Sequence, residues 1–207
     1  MNKTLLVLGF AAFSLLLGVL LWSWQQSQRA EQRLPGVQAA TVLPEPRPIP
    51  DFSLSDQDEG AFGLAQLRDH WSLLFFGFTR CPDICPNTLG LLQAVNAALK
   101  QEGEAALRVV FVSVDPEHDK PAALKSYIEY FDPAFTAVTG PEDELQKLTG
   151  ALYMPFVYVP IGDGSDYTVE HSGSLVLLNP QGQVTAYFSP PLQLQPIVND
   201  LRTLIEG

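Results

Sequence analysis

Residues 71–86 read WSLLFFGFTRCPDICP, and they indicate the fold more clearly than any other part of the chain. The run over residues 71–78 is short and predominantly apolar, which is typical of a strand buried on both faces of a sheet. The chain's only two cysteines, Cys81 and Cys85, follow this strand and precede a helix-like pattern. Such an order predicts an α/β sheet with ligand chemistry at the carboxyl edge of its central strand.

The rest of the chain continues this alternation of strands and helices. The patterns predict helices over residues 86–101, 121–131, 142–150 and 193–205, strands over 107–114 and 154–159, and a hairpin over 174–188. This order predicts an α/β, thioredoxin-like fold, in which helices flank a central mixed sheet. Right-handed crossovers would place the cysteine loop at the carboxyl edge of that sheet.

The N-terminal segment has a different composition. Residues 4–22 contain no charged side chain, and about 20 apolar residues suffice for a helix to cross a bilayer. No small-residue cleavage site follows, so residues 1–24 are predicted to form an uncleaved signal anchor, with a cleaved signal peptide as the alternative. Residues 25–50 contain five prolines and are predicted to form an extended linker. Residues 51–207 would then be the folded domain.

The distribution of charged residues indicates the orientation of the chain in the membrane and the class of partner. The short tail before the predicted span favours a cytoplasmic N terminus. Arg29 and Arg33, which follow the span, argue against this orientation. We therefore expect a single-pass protein of the bacterial inner membrane with its C-terminal domain on the periplasmic side. The chain has 23 acidic and 12 basic residues, which argues against nucleic-acid binding, because phosphate neutralisation requires clustered Lys and Arg.

Cys81 and Cys85 are four residues apart at the start of a predicted helix, where free N–H groups and the helix dipole stabilise thiolates. Thiolates are soft ligands that suit Cu(I), and a thiol pair can also form and break a disulfide. A purely structural disulfide would close too short a loop to remove much unfolded-state entropy. If residues 81–85 are helical, the two thiols share one face. Because Pro86 disfavours helical geometry at Cys85, the alternative is a tight turn over residues 81–85 with Pro86 as the first helical residue.

Three histidines are candidates for a third ligand. His70 precedes the strand at the end opposite the cysteines, and His118 follows the second strand on the correct edge. His171 lies just before the strand at 174–178, in a loop that abuts the cysteines of thioredoxin-like folds. Imidazole and two thiolates would form a three-coordinate Cu(I) site, or a Cu(II) site with one added ligand.

Other candidates have weaker signals. Asp83, between the cysteines, is expected to cap the helix or to tune the site electrostatically. Asp115 ends the second strand and could hold a partner loop, orient a ligand, or simply form a turn. Met154 has a soft ligand atom but is expected in the core.

Three segments carry a resemblance to a known family: residues 76–86 (FGFTRCPDICP), 112–121 (VSVDPEHDKP) and 166–172 (DYTVEHS). They resemble the signature segments of the SCO/SenC family, which are membrane-anchored, thioredoxin-like copper proteins. The resemblance runs from about residue 48 to the C terminus. It departs from the usual pattern at Glu170, where the family has Asp, and at Gly173, where an apolar or β-branched residue is common.

The resemblance implies that Cys81, Cys85 and His171 are copper ligands. It further implies a metallochaperone that delivers copper to the dinuclear copper site of cytochrome c oxidase subunit II or a similar acceptor. The alternative is a membrane-tethered thiol-disulfide reductase in which Cys81 and Cys85 keep the oxidase cysteines reduced. A redox-signalling role stays open, whereas Thr79 and Arg80 give little support for a peroxidase.

Overall fold

The structure is a computed structural model, and it describes residues 12–23, 36–101, 107–164 and 166–206. The chain divides into two units, Met1–Pro35 and Gly36–Gly207. In the first unit residues 12–23 are helical, whereas residues 1–11 and 24 of the predicted anchor and 25–35 of the predicted linker lie outside the described residues. Among the helices that the structure describes, none combines the length and apolar character that a membrane span requires.

The second unit contains ten strands and four α-helices within its described residues. The strands are β1 (Ala40–Pro48), β2 (Ser53–Asp56), β3 (Ala61–Gly63), β4 (Ser72–Gly77), β5 (Arg108–Ser113), β6 (Thr136–Thr139), β7 (Phe156–Ile161), β8 (Asp166–His171), β9 (Leu175–Leu178) and β10 (Gln183–Phe188). The helices are α1 (Ile84–Gln101), α2 (Pro121–Phe131), α3 (Glu142–Ala151) and α4 (Leu194–Glu206), with a short 3-10 helix at Leu64–Leu67.

Eight strands form one mixed sheet in the order β1-β10-β9-β4-β5-β6-β2-β3. Strands β4, β5 and β6 are parallel, while β9 runs antiparallel to β4 on its other side. The strand order therefore places β4 near the middle of the sheet. Its carboxyl end, followed directly by the cysteine loop, points to the edge that the sequence predicted for ligand chemistry.

Alternate residues of β4 face two different core clusters. Leu73 and Phe75 pack with residues of α1, α2 and α4, whereas Leu74 and Phe76 pack in a cluster that includes α3. Successive side chains of a strand point to opposite faces, so a strand covered on both sides is apolar throughout. This double burial explains why the run at residues 72–77 shows no polar alternation.

Strand β1 lies in the segment that the sequence assigned to a proline-rich linker. It pairs antiparallel with β10 at the edge of the sheet, and its register shifts between Val42 and Arg47. Proline lacks an N–H donor, so it is tolerated on an edge strand or at an irregularity. Ahead of the strand, the Asp200 carboxylate accepts hydrogen bonds from the backbone N–H groups of residues 38–40. The folded unit therefore includes part of the predicted linker.

Strands β7 and β8 form a separate two-stranded antiparallel sheet, which we call the β7–β8 ribbon. The sequence predicted a strand near β7 but treated the approach to His171 as a loop. Instead, His171 is the last residue of β8 and pairs with Phe156, the first residue of β7. The ribbon then leads into β9 of the main sheet, so it brings His171 to the cysteine edge.

Candidate metal centre

Three elements meet at the carboxyl end of β4. The loop after β4 carries Cys81, the first turn of α1 carries Cys85, and the end of β8 carries His171. The two sulfur atoms and an imidazole nitrogen all lie within 4.8 Å of one another. Both cysteines are free thiols. No other group of three or more His, Cys, Asp or Glu side chains in the described ranges converges in this way.

The helix that carries Cys85 begins earlier than the sequence predicted. Helix α1 starts at Ile84, so Cys85 is helical and the alternative of a tight turn with Pro86 as the first helical residue is wrong. Pro86 still lies in the first turn, where a backbone N–H has no partner within the helix. Asp83 directly precedes the helix. Its carboxylate accepts from the Asn87 side-chain amide at 2.6 Å, and its carbonyl accepts from the Asn87 N–H.

The two thiols differ in exposure and in proton affinity. Cys85 is fully buried, whereas Cys81 is half-buried. A hydrogen bond from Cys85, helped by the N–H groups of Asp83 and Cys85, lowers the pKa of Cys81 to about 4. The same hydrogen bond and burial raise the pKa of Cys85. At neutral pH the pair therefore holds one proton, with a thiolate at Cys81 and a thiol at Cys85.

The His171 ring presents one defined nitrogen to the thiols. Its Nδ1 lies 3.0 Å from the carbonyl oxygen of Ser172, and its Nε2 lies 3.4 Å from Cys85 Sγ. A carbonyl oxygen only accepts hydrogen bonds, so this contact assigns a proton to Nδ1, and the neutral form of the ring has its lone pair on Nε2. The rings of Phe75 and Phe78 pack edge-on against the imidazole. Nε2 is therefore the nitrogen available to a metal.

The loop before Cys81 is anchored by Asp119, a residue to which the sequence analysis gave no role. Asp119 is fully buried, and its carboxylate accepts from the Thr79 N–H at 2.9 Å and the Thr79 hydroxyl at 2.5 Å. The Ser113 hydroxyl donates to it as well, at 2.5 Å. The available signal in the sequence was a third carboxylate in the loop after β5, four residues beyond Asp115 and two beyond Glu117.

The remaining candidates lie outside the ligand cluster. Asp115 is fully buried and accepts from the Tyr167 hydroxyl at 2.6 Å, and His118 Nδ1 lies 3.0 Å from the same carboxylate. His70 is exposed and precedes β4 at the other end of the strand. Met154 is buried in the core cluster on the α3 side of the sheet.

This chain is similar to several known proteins. The model of the family described as SCO1/SenC matches residues 42–206. A protein of Stutzerimonas stutzeri named for copper binding is 38% identical over 166 residues, which are 80% of this chain and 81% of that protein. The mitochondrial SCO2 homolog of Mus musculus is 33% identical over 188 residues, which cover 87% of this chain and 72% of that protein.

A solved structure is similar to most of this chain. The crystal structure of yeast Sco1 with copper bound superimposes with a TM-score of 0.73 and 29% identity, covering 78% of this chain and 90% of that chain. This likeness confirms the predicted α/β, thioredoxin-like fold.

Proposed function

Because this chain belongs to the SCO1/SenC family, we propose that it binds copper through Cys81 Sγ, Cys85 Sγ and His171 Nε2. The observation that carries this proposal is the convergence of these three atoms within 4.8 Å at one sheet edge. Two thiolates and a neutral imidazole are a soft donor set that suits Cu(I). The family likeness and the copper-bound yeast relative support copper over other soft metals.

The protonation state of the cysteines in the metal-free protein determines how many protons they release when copper binds. Cys81 is a thiolate at neutral pH, so of the two cysteines only Cys85 must lose a proton to become a ligand. Copper loading at neutral pH therefore releases about one proton from the cysteine pair. A thiol pair with ordinary pKa values near 8.5 would release about two.

The recipient of the copper is the dinuclear copper site of cytochrome c oxidase subunit II or a similar copper-acceptor protein. Membership of a family whose relatives include the mitochondrial SCO2 homolog supports this role in oxidase assembly. Cys81 is more exposed than the fully buried Cys85, so an acceptor thiolate can replace Cys81 while Cys85 and His171 still hold the ion. The apolar residues 4–22 would anchor the chain beside a membrane-bound oxidase.

Copper binding is tested on the full chain by metal stoichiometry and absorption spectroscopy. Wild type is expected to bind one copper per chain with a thiolate-to-Cu(II) charge-transfer band. His171→Ala should lose that band. His70→Ala, which removes an exposed imidazole at the other end of β4, is the matched control and should keep it. An unchanged band in His171→Ala would remove His171 from the ligand set.

A thiol-disulfide reductase is the second candidate, and the difference between the two thiols favours it. A half-buried thiolate at Cys81 can attack a partner disulfide and form a mixed disulfide, releasing one partner thiolate. Cys85 then loses its proton and attacks Cys81 Sγ. This second step forms the Cys81–Cys85 disulfide and releases the other partner thiolate. Two electrons pass to the partner, and an external dithiol must reduce the protein again.

The two functions differ in their need for the histidine. A reductase requires both cysteines, whereas copper delivery also requires His171. We would measure reduction of an oxidised oxidase-derived peptide by wild type and by His171→Ala. Equal rates, together with weak copper binding that is indifferent to His171, would favour the reductase. Slower reduction in His171→Ala would contradict a mechanism that depends on the thiols alone.

A further inference from the structure

Arg80, the residue before Cys81, binds the start of the strand that ends at His171. Its Nη1 lies 3.1 and 3.2 Å from the two carboxylate oxygens of Asp166, the first residue of β8. Its Nη2 donates to the Tyr167 carbonyl at 3.2 Å, and the guanidinium carbon lies 5.5 Å from the Tyr167 ring centre. One side chain therefore joins the cysteine loop to β8 through charge, hydrogen bonding and stacking.

The loop after β5 adds two more side chains around the Arg80 guanidinium. Asp115 is fully buried, and its Oδ2 lies 3.7 Å from Arg80 Nη2. His118 Nδ1 lies 3.0 Å from Asp115 and 3.2 Å from Arg80 Nη2. A buried carboxylate is stable only when it has partners, so Asp115 depends on its neighbours. We call this cluster the Arg80 clamp; its members are Arg80, Asp115, His118, Asp166 and Tyr167.

The β7–β8 ribbon needs such support, because it does not belong to the eight-stranded sheet. An isolated two-stranded hairpin is marginally stable in water. At its His171 end the ribbon continues into β9, which belongs to the main sheet. Beyond the clamp, Val169 of the ribbon packs in the core cluster on the α3 side, and Tyr158 donates to the Val114 carbonyl at 2.9 Å. The clamp holds the end of β8 that lies furthest along the strand from His171.

We propose that Arg80 is a positioning residue for His171, acting through the Arg80 clamp to hold the β7–β8 ribbon against the cysteine loop. This inference rests on the proposed copper site. Arg80 does not touch the ligand atoms. Without Arg80, Asp115 loses its nearby guanidinium and the start of β8 loses its attachment to the cysteine loop. His171 then spends less time within reach of the thiols, while Cys81 and Cys85 keep their own geometry.

Copper affinity in a double-mutant cycle tests this role. We would titrate Cu(I) against a chromophoric chelator in full-length wild type, Arg80→Ala, His171→Ala and the double variant. Arg80→Ala should weaken binding about 10-fold, as removal of a ligand-orienting contact typically does. The double variant should bind as His171→Ala does, because both changes act through one ligand. Additive losses, or an unchanged affinity in Arg80→Ala, would overturn the proposal.

Two further variants separate positioning from a general effect of charge. Arg80→Lys keeps the positive charge near Asp166, but a single ammonium group cannot reproduce the separate contacts of Nη1 with Asp166 and of Nη2 with the Tyr167 carbonyl. The lysine variant should therefore recover only part of the copper affinity that Arg80→Ala loses. Lys125→Ala is the matched control, since it removes an exposed ion pair with Asp58, 2.6 Å long, away from the clamp. It should leave copper affinity unchanged. A loss in Lys125→Ala equal to that in Arg80→Ala would contradict a specific role.

Hydrogen exchange in the metal-free, reduced protein tests the clamp without copper. Arg80→Ala and Asp166→Asn should both accelerate amide exchange in residues 156–171 and leave β4 and β9 at the wild-type rate. Unchanged exchange in the ribbon of both variants would overturn the clamp, whatever the copper data show. A wild type that binds no copper would instead contradict the proposed function, so the two failures are distinguishable.

Discussion

Gly77 and Cys85 approach so closely that no side chain fits between them. A Cβ built on Gly77, the last residue of β4, would lie 2.5 Å from Cys85 Sγ and 2.9 Å from Phe111 Cε2. Both distances are shorter than ordinary van der Waals contact. The position of the buried thiol is therefore set by the close packing of the first turn of α1 against the end of β4.

Gly77→Ala should consequently damage the site and the fold together. Forcing an extra methyl group into a packed core costs about 1–3 kcal/mol of stability, and here it must displace Cys85 Sγ or the Phe111 ring. We expect a lower free energy of unfolding in urea and a weaker affinity for Cu(I). Gly90→Ala is the matched control, because nothing lies within 4 Å of the added Cβ in α1. It should stabilise the protein by about 0.5–1 kcal/mol. Equal stability of Gly77→Ala and wild type would contradict this packing.

Asp119→Asn should loosen the loop before Cys81. The carboxylate accepts three hydrogen bonds in a buried position, whereas an amide has only one accepting oxygen. A donor left unsatisfied in the core costs about 1–3 kcal/mol, so the free energy of unfolding should fall by that amount. Asp58→Asn, which removes an exposed ion pair, should leave the free energy of unfolding nearly unchanged. Similar losses in the two variants would argue against an anchoring role for Asp119.

The motifs were predictable because each lies within a short stretch of sequence. The cysteine pair and the approach to His171 belong to segments whose order and spacing indicate a SCO/SenC protein, and the chain belongs to that family. Strand β1 was missed because proline-rich composition describes a linker and an irregular edge strand equally well. Strand β8 was missed because Val169 alone of its six residues is buried, so the strand has no continuous apolar run.

The supporting residues were not predictable from local pattern. Arg80 and Asp166 are 86 residues apart, so their contact exists only once the β7–β8 ribbon has folded against the cysteine loop. The space that Gly77 leaves for Cys85 depends on the approach of a helix to a strand. The burial of Asp119 likewise depends on its contact with Thr79 across 40 residues. Hydrophobic periodicity carries no information about such pairs.

The reactivity of Cys81 should be nearly independent of pH across the neutral range. Its pKa is lowered to about 4, so the reactive thiolate is present above that pH and is lost as the pH falls through it. Alkylation of Cys81 by iodoacetamide in the metal-free, reduced protein should therefore proceed at a constant rate from about pH 6 to 8, followed by mass spectrometry of each cysteine. Cys85→Ala removes the main hydrogen-bond donor and should make the rate rise with pH. A wild-type rate that rises about tenfold per pH unit through this range would contradict the lowered pKa.

Copper removal should lower the melting temperature. A ligand at 100 times its Kd stabilises the folded state by about 2.7 kcal/mol, which corresponds to about 5–10 °C for a domain of this size. Scanning calorimetry of the copper-loaded protein, before and after addition of a Cu(I) chelator, measures this shift. His171→Ala at the same copper concentration should show a smaller shift. Equal shifts in wild type and His171→Ala would mean that His171 does not bind the ion.

The most direct test of the copper site is X-ray absorption spectroscopy of the Cu(I)-loaded full chain. The proposed ligands predict two sulfur atoms and one imidazole nitrogen around copper, with the nitrogen contribution lost in His171→Ala and retained in His70→Ala. A first shell of sulfur alone in wild type, or of nitrogen and oxygen without sulfur, would contradict a site built from Cys81, Cys85 and His171.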